Sequence, residues 1–492
     1  MSSRRAQQQA LVPAAARRAL HPVRALADQA LSRAAGAPLI EGNSVRLLKD
    51  AAENYPAWLK AIASARRHVH FESYIIHDDE VGEQFAEALI AKAREGVPVR
   101  LIYDWLGGLG KASRRFWNRL SEAGVEVRCY NPLRFDSPFG WLSRDHRKMV
   151  AVDGEVGFVS GLCIGKMWAG DPAKGIEPWR DTGVEIRGPA VADIERAFAN
   201  VWELIGPPLP EPLVSLEAPR PAGEMNVRVV ASVPSTAGML RLDQLIAALA
   251  RKRIWLTDAY YAGTAIYAQA LRAAALEGVD VRLLLPGATD IPVLRPLSRS
   301  GYRPLLEAGV RIFEWNGPML HAKTAVVDGH WARVGSTNLN VASWLNNCEL
   351  DVVVENEGFA RELEAQYLLD LENATEIVLA KRRVRPCAPR PRRHAARARA
   401  HPAAAGAARL SHSLGAAFTT RRELGQVEPR PTLGAALALL ALAALFVLFP
   451  LLLVVPVVLV QVWIALSLLV RVVRQRWARR EPKPLPECEE ER

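Results

Sequence analysis

Two short stretches of this chain carry reactive side chains at the same spacing. His321, Lys323 and Asp328 lie in HAKTAVVDG, with Ser336 and Asn338 following in GSTN, and upstream HRKMVAVDG holds His146, Lys148 and Asp153 with Ser160 a few residues on. One HxKxxxxD is a weak signal, because any strand with a turn can contain it. Two copies at matching points of a duplicated chain are not expected by chance. The residue types suit phosphoryl transfer. A neutral imidazole attacks a phosphodiester and carries the phosphoryl group covalently. A second imidazole, protonated, gives its proton to the leaving alkoxide and then takes one from the acceptor. Lys148 and Lys323, with Ser336 and Asn338, supply donors for the non-bridging oxygens. The two histidines must hold different protonation states, so their surroundings must differ. No cluster of carboxylates or Cys/His ligands adjoins either motif, so the reading requires no metal and no cofactor.

A nucleophilic histidine also needs its other ring nitrogen held. Aligning the two copies nominates Glu349 for His321 and Asp181 for His146. Asp153 and Asp328 precede glycines at strand-turn junctions and have two readings, turn stabilisation or a direct place in the site. His68, His70, His77 and His330 have no counterpart in the other copy and read as structural. The glycine-rich LGGLGK, 106–111, reads as a strand-to-helix turn rather than a phosphate loop.

The elements that must position these groups repeat as well. HVHFESYII and RIWLTDAYY read as strands, and Asp79 is placed to cap the helix that follows the first. Gly96 and Gly278 stop the next helices, and VPVRLIYD and VDVRLLLP continue as strands. FWNRLSEAGVEVRCY matches YRPLLEAGVRIFEW, and DTGVEIRGPAVADIERAFANVW matches ELDVVVENEGFARELEAQYLL. Alternating strands and helices with right-handed connections predict an α/β fold in which two pseudo-symmetric sandwich repeats share one site.

Composition adds the setting. The five cysteines are scattered singly, which fits a reducing compartment without a disulfide framework. The Ala/Arg-rich N-terminus lacks the apolar run of a cleaved secretory leader. The net charge of +11 is concentrated at 381–399, where one Lys and eight Arg occur with no acid. Prolines 386, 389 and 391 keep this stretch from being a helix. It reads either as a solvated linker or as a segment binding anionic lipid head groups, the latter favoured by its neighbour. Residues 433–470 carry no charge, and one helix of that length would reach roughly 57 Å against a hydrocarbon core of roughly 30 Å. Pro450 and Pro456 near its middle predict a transmembrane hairpin, 433–449 and 451–470. Arginines on both flanks put both ends, and the catalytic part, on the cytoplasmic side. The aromatics Phe135, Phe139 and Trp141 in 134–144 read equally as an interfacial loop or as core.

The paired His-x-Lys-x4-Asp motifs, the second followed by Gly335-Ser336-Thr337-Asn338, resemble those of the phospholipase D superfamily. With FESYIIHDDEVGEQF and the DHRKMVAVDG context they are most similar to bacterial cardiolipin synthases. The likeness spans about 40–375. It implies a phosphohistidine intermediate, with His146 as nucleophile and His321 as general acid and base. It also implies phosphatidyl transfer to an alcohol at the bacterial inner membrane, with phosphatidylglycerol as substrate. Cys163 stands where an amide is expected, so Ser160 becomes a substitute phosphate donor. A phospholipase D hydrolase uses the same residues. A nuclease fits the basic linker but not a membrane hairpin, so nucleic acid is not an expected partner. A non-enzymatic scaffold would not keep both His/Lys pairs. The expected organisation is an N-terminal basic segment at 1–39, repeats at 40–209 and 225–380 joined by a linker at 210–224, a basic linker at 381–432, the hairpin at 433–470 and a tail at 471–492.

Overall fold

Each half opens with a strand and a helix that the comparison of repeats left unassigned. In the first half β1 (Ile40–Lys49) leads into α1 (Asp50–Ser64). There follow β2 (Val69–Ser73), α2 (Glu80–Arg94), β3 (Val99–Asp104), α3 (Arg114–Glu122), β4 (Glu126–Tyr130), β5 (Lys148–Val152), β6 (Val156–Ser160), β7 (Thr182–Arg187) and α4 (Val191–Leu204). The second half runs β8 (Met225–Ser232), α5 (Gly238–Leu249), β9 (Arg253–Thr257), α6 (Ala265–Leu276), β10 (Asp280–Pro286), α7 (Tyr302–Glu307), β11 (Arg311–Trp315), β12 (Thr324–Val327), β13 (Trp331–Gly335), β14 (Glu349–Glu355), α8 (Glu357–Glu372) and β15 (Ala374–Leu379). This computed structural model describes residues 26–132, 143–210, 220–292, 294–379 and 421–424, with isolated positions between 440 and 469.

Local chemistry sets the boundaries as the sequence suggests. Asp79 accepts from the amides of Val81 and Gly82, both at 3.0 Å, and so starts α2. Gly96 and Gly278 end α2 and α6 at φ +83° and +94°, where a side chain would be strained.

The strand order is β4-β3-β2-β5-β6-β7-β1 in one half and β15-β11-β10-β9-β12-β13-β14-β8 in the other, joined where β1 pairs with β8. Within this order β2-β3-β4 and β9-β10-β11 are parallel and the remaining pairs antiparallel, and a short strand, Arg421–Leu424, adds in parallel to the edge of β15. Strand-helix alternation thus accounts for three strands per half. The histidine motifs instead lead into tight hairpins, β5-β6 and β12-β13. Asp153-Gly154 and Asp328-Gly329 turn them with positive φ at both central residues, the backbone that matches strand twist.

Helices α4 and α8 lie in one core shared by the halves. Phe198 and Trp202 of α4 and Phe359, Leu363 and Tyr367 of α8 are buried with Val184, Ile186, Val352 and Val354. Each such side chain contributes about 1.5–3 kcal/mol of burial. Two buried guanidiniums cross the same boundary. Arg147 donates to the carbonyls of Ala197 (2.6 Å), Ser232 (3.0 Å) and Glu349 (3.2 Å). Arg180 grips Asp370 through Nε at 2.9 and 3.1 Å and Asp50 through Nη1 at 3.1 Å. Removing either partner would strand a buried charge.

The expected hairpin, the basic stretch 381–399 and the aromatics of 134–141 lie outside the described residues, apart from isolated helical positions after 439. Among the described residues no helix is long and apolar enough to cross a membrane.

Candidate active site

Each histidine sits at the residue pair just before its hairpin, pinned by backbone from the opposite half. The His146 amide donates to the Cys348 carbonyl at 2.9 Å, and the Cys348 amide returns to Arg144 at 2.8 Å. Equivalently, His321 donates to the Arg180 carbonyl at 2.7 Å and Arg180 to Met319 at 2.9 Å. The motifs of the two halves therefore meet across one boundary.

The side chains cross it too. His146 Nδ1 is 2.9 Å from Glu349 Oε2, and His321 Nδ1 is 2.7 Å from Asp181 Oδ2. This corrects the pairing read from the aligned repeats, which gave each histidine the carboxylate of its own half. Glu349 opens β14 and Asp181 immediately precedes β7, and the backbone bridges above place each strand start beside the other half's histidine. Both carboxylates are fully buried. Burial opposes their ionisation, yet the histidine each one holds wins and keeps both below the usual range. Burial also lowers His146, with Lys148 adding to it, and drives His321 down to about 3 with help from Lys323. Both imidazoles are therefore neutral at neutral pH.

The lysines lie at the floor. Each Nζ donates to the carbonyl of the histidine two residues before it, Lys148 to His146 and Lys323 to His321. Lys148 also lies 5.1 Å from the Tyr74 ring, and Lys323 lies 5.7 Å from that of Tyr260. Lys323 is lowered to about 8, by burial first and by Lys148 as a like charge. Opposite it, Asp258 is raised by burial to about 7. Its Oδ1 accepts from the Leu339 amide at 2.9 Å, while its Oδ2 is buried without a partner.

Four expected site residues stand elsewhere. Asp153 accepts from the amides of Arg66, Arg67 and His68 at 2.7–3.2 Å, and Asp328 from Arg251, Lys252 and Arg253 at 2.8–2.9 Å. From the positive-φ position of its turn, each latches a hairpin to the segment before β2 or β9. Ser160 bends back to its own loop, its hydroxyl accepting from the Leu162 amide at 3.1 Å. The Ser336 hydroxyl donates to Glu349 Oε2 at 2.6 Å, so it buttresses His146's partner instead of reaching for phosphate. Gly161 occupies the matching place in the first half because Asp181 leaves no room: an added Cβ would lie 2.1 Å from its Oδ1. Asn338 remains available, its Oδ1 buried without a partner, while Cys163 is buried and its thiol pushed up by burial.

Aromatics missed by the sequence reading frame both imidazoles. Tyr74 stands 5.0 Å from His146, and Tyr260, Trp168 and Trp179 each stand 5.7 Å from His321, ring centre to ring centre. The repeat held a signal for two of them, since Tyr74 and Tyr260 both follow the first parallel strand of their half. Beside Trp179 a cavity of about 490 Å³ opens, lined by Met167, Ile176, Glu177, Asn316 and Pro318.

Two crossed histidine-carboxylate pairs over two lysines, built by one fold used twice, define a phospholipase D superfamily phosphoryl-transfer site. Known proteins agree. A family profile described as cardiolipin synthase, PLD-like domain, matches residues 58–202 and 243–370. Cardiolipin synthase of Alkalihalophilus pseudofirmus is 33% identical over 348 residues, covering 69% of this chain and 68% of its own. Cardiolipin synthase A of Pseudomonas aeruginosa is 35% identical, covering 72% of each. Among solved structures, phosphatidylserine synthase of Haemophilus influenzae shares the fold at TM-score 0.56 and 15% identity, over 71% of this chain and 91% of that one. The chain belongs to the PLD-like cardiolipin synthase family, and is a phosphatidyltransferase acting on phospholipids.

Proposed function

We propose that the chain is a membrane-anchored cardiolipin synthase using phosphatidylglycerol as donor and acceptor through a phosphohistidine on His146. The crossed pairing carries this reading: each imidazole has Nδ1 held by a buried carboxylate, leaving Nε2 for the phosphorus or for a proton. His146 Nε2 attacks phosphorus, the P–O bond to the headgroup glycerol breaks, and His321 Nε2–H protonates the departing alkoxide. In the second half-reaction His321 takes the proton of the acceptor hydroxyl, whose oxygen displaces His146 from phosphorus. The first step requires protonated His321. The phosphodiester anion supplies the drive, because its charge between Lys148 and Lys323 offsets the field that holds the imidazole neutral. In this reading the side-chain amide Nδ2 of Asn338 donates to a non-bridging oxygen.

The hydrophobic 433–470 and its basic flanks are read as a hairpin in the bacterial inner membrane, with the catalytic halves cytoplasmic and the arginines on anionic lipid. A tag on Arg492 that labels from the periplasmic side would replace the hairpin with a single span.

The test of activity is purified protein with phosphatidylglycerol in oxygen-18 water, followed by mass spectrometry of the lipids. Cardiolipin plus free glycerol is expected. Labelled phosphatidic acid as main product would make the enzyme a hydrolase, and no turnover at all would refute phosphatidylglycerol as donor.

A further inference from the structure

Apart from the active site, one group of buried titratable side chains has no part in the chemistry above. His68 and His70 alternate along the start of β2, so they face the same side, toward α4. Glu195 of α4 comes down on them: its Oε1 is 2.9 Å from His68 Nε2, and its Oε2 contacts His70 Nδ1. All three are buried, at 2%, 0% and 8% exposure. The His70 ring is stacked on Phe198 at 4.4 Å.

The donor set is that of a zinc site. Two imidazoles and one carboxylate suit zinc, and such three-ligand sites leave the fourth position to water. Bonds of about 2.0–2.1 Å in a tetrahedron put ligand atoms about 3.3 Å apart. Here they all lie within 4.8 Å of one another, with the His68–Glu195 contact at 2.9 Å. Seating the ion would part the Glu195 contacts to both rings and turn the side chains until all three ligand atoms face one point. Against this stands Arg100, buried opposite His70 on β3, although its guanidinium is paired with Glu126 at 2.8 Å. Outer nitrogens His68 Nδ1 and His70 Nε2 have no partner. Lacking that support, affinity would fall about 10–100-fold below a fully buttressed site.

We propose that His68, His70 and Glu195 form a zinc site that fastens α4 to β2. It is structural and not catalytic: Tyr74, which faces His146, lies four residues beyond His70, or about 13 Å along an extended chain.

The test uses the untagged full chain, dialysed against zinc or chelator. Metal analysis should find one zinc per chain. About a hundredfold excess of zinc over its Kd should raise Tm by several degrees over the chelated protein. Cobalt should give the visible absorption of a tetrahedral site. His70→Phe keeps the stack on Phe198, and Glu195→Gln keeps a hydrogen-bonding group; each should lose the metal, the cobalt spectrum and the zinc-dependent Tm rise while retaining turnover. No retained zinc and no shift in Tm would make the cluster a hydrogen-bonded clasp and end the proposal. Metal binding that survives both substitutions would place it elsewhere and overturn it equally.

Discussion

The crossed pairing makes a prediction that an uncrossed site would reverse. Glu349→Gln, a change in the second half, should cripple the step performed by His146 in the first. Three donors converge on this carboxylate: the His146 ring, Ser336 Oγ at 2.6 Å and Asn347 Nδ2 at 3.3 Å. A glutamine offers one acceptor oxygen. If it faces His146 and Ser336, its amide nitrogen meets the Asn347 donor. If it flips, the nitrogen faces His146 and drives the ring proton to Nε2, the atom that must attack. A hydrogen bond to a buried charge is worth about 1.5–3 kcal/mol. Adduct formation should therefore slow by about 10- to 150-fold. The assay is rapid-quench single turnover with a donor whose leaving group needs no protonation, which removes His321 from the first step. Glu349→Gln should lose its burst, while Asp181→Asn should keep the burst and stall afterwards with adduct accumulated. The opposite pattern would refute the assignment of nucleophile and acid, and equal loss in both variants would refute separate partners.

Further outcomes follow from contacts at the same boundary. Gly161→Ala should behave like Asp181→Asn, because its Cβ would fall 2.1 Å from Asp181 Oδ1 and dislodge it from His321; unchanged steady-state turnover would contradict this. Asp153→Ala should cost about 2–3 kcal/mol of stability by orphaning three amides, with kcat preserved in whatever remains folded. Asp153→Asn should cost less, because asparagine tolerates the positive φ. Stability should also fall in acid on account of His321. Its pKa is about 3 folded and about 6.5 unfolded, so between these values the unfolded chain binds a proton that the folded chain does not. Stability is then lost as pH falls through that window, by up to about 5 kcal/mol. Urea midpoints against pH should be flatter for His321→Asn, and identical slopes would count against a neutral buried imidazole.

Much of this is legible in the sequence. The duplication, the two motifs, the helix stops at Gly96 and Gly278 and the cap at Asp79 all depend on local chemistry that a sequence carries openly. What the sequence hid depends on distance in space. Aligning repeats compares like with like within a half, and so cannot reveal that Glu349 and Asp181 serve the histidines of the other half. Nor could it say that Ser336 spends its hydroxyl on Glu349, or that Asp153 and Asp328 point at backbone amides. The unassigned β1 and β8 lie at the join, where they pair with each other across the two halves, a contact that comparing one half with the other does not reveal.

The exchange of carboxylates also bears on descent. Relax the covalent link between the halves and treat them as copies of one ancestral chain, and each copy holds a histidine it cannot orient and a carboxylate it cannot use. In a two-fold dimer every contact from i to j is matched by one from j to i, so such an ancestor would have been inert as a monomer and doubly completed as a pair. In the single chain the copies need not be identical, and Gly161 and Ser336 occupy one position with opposite demands.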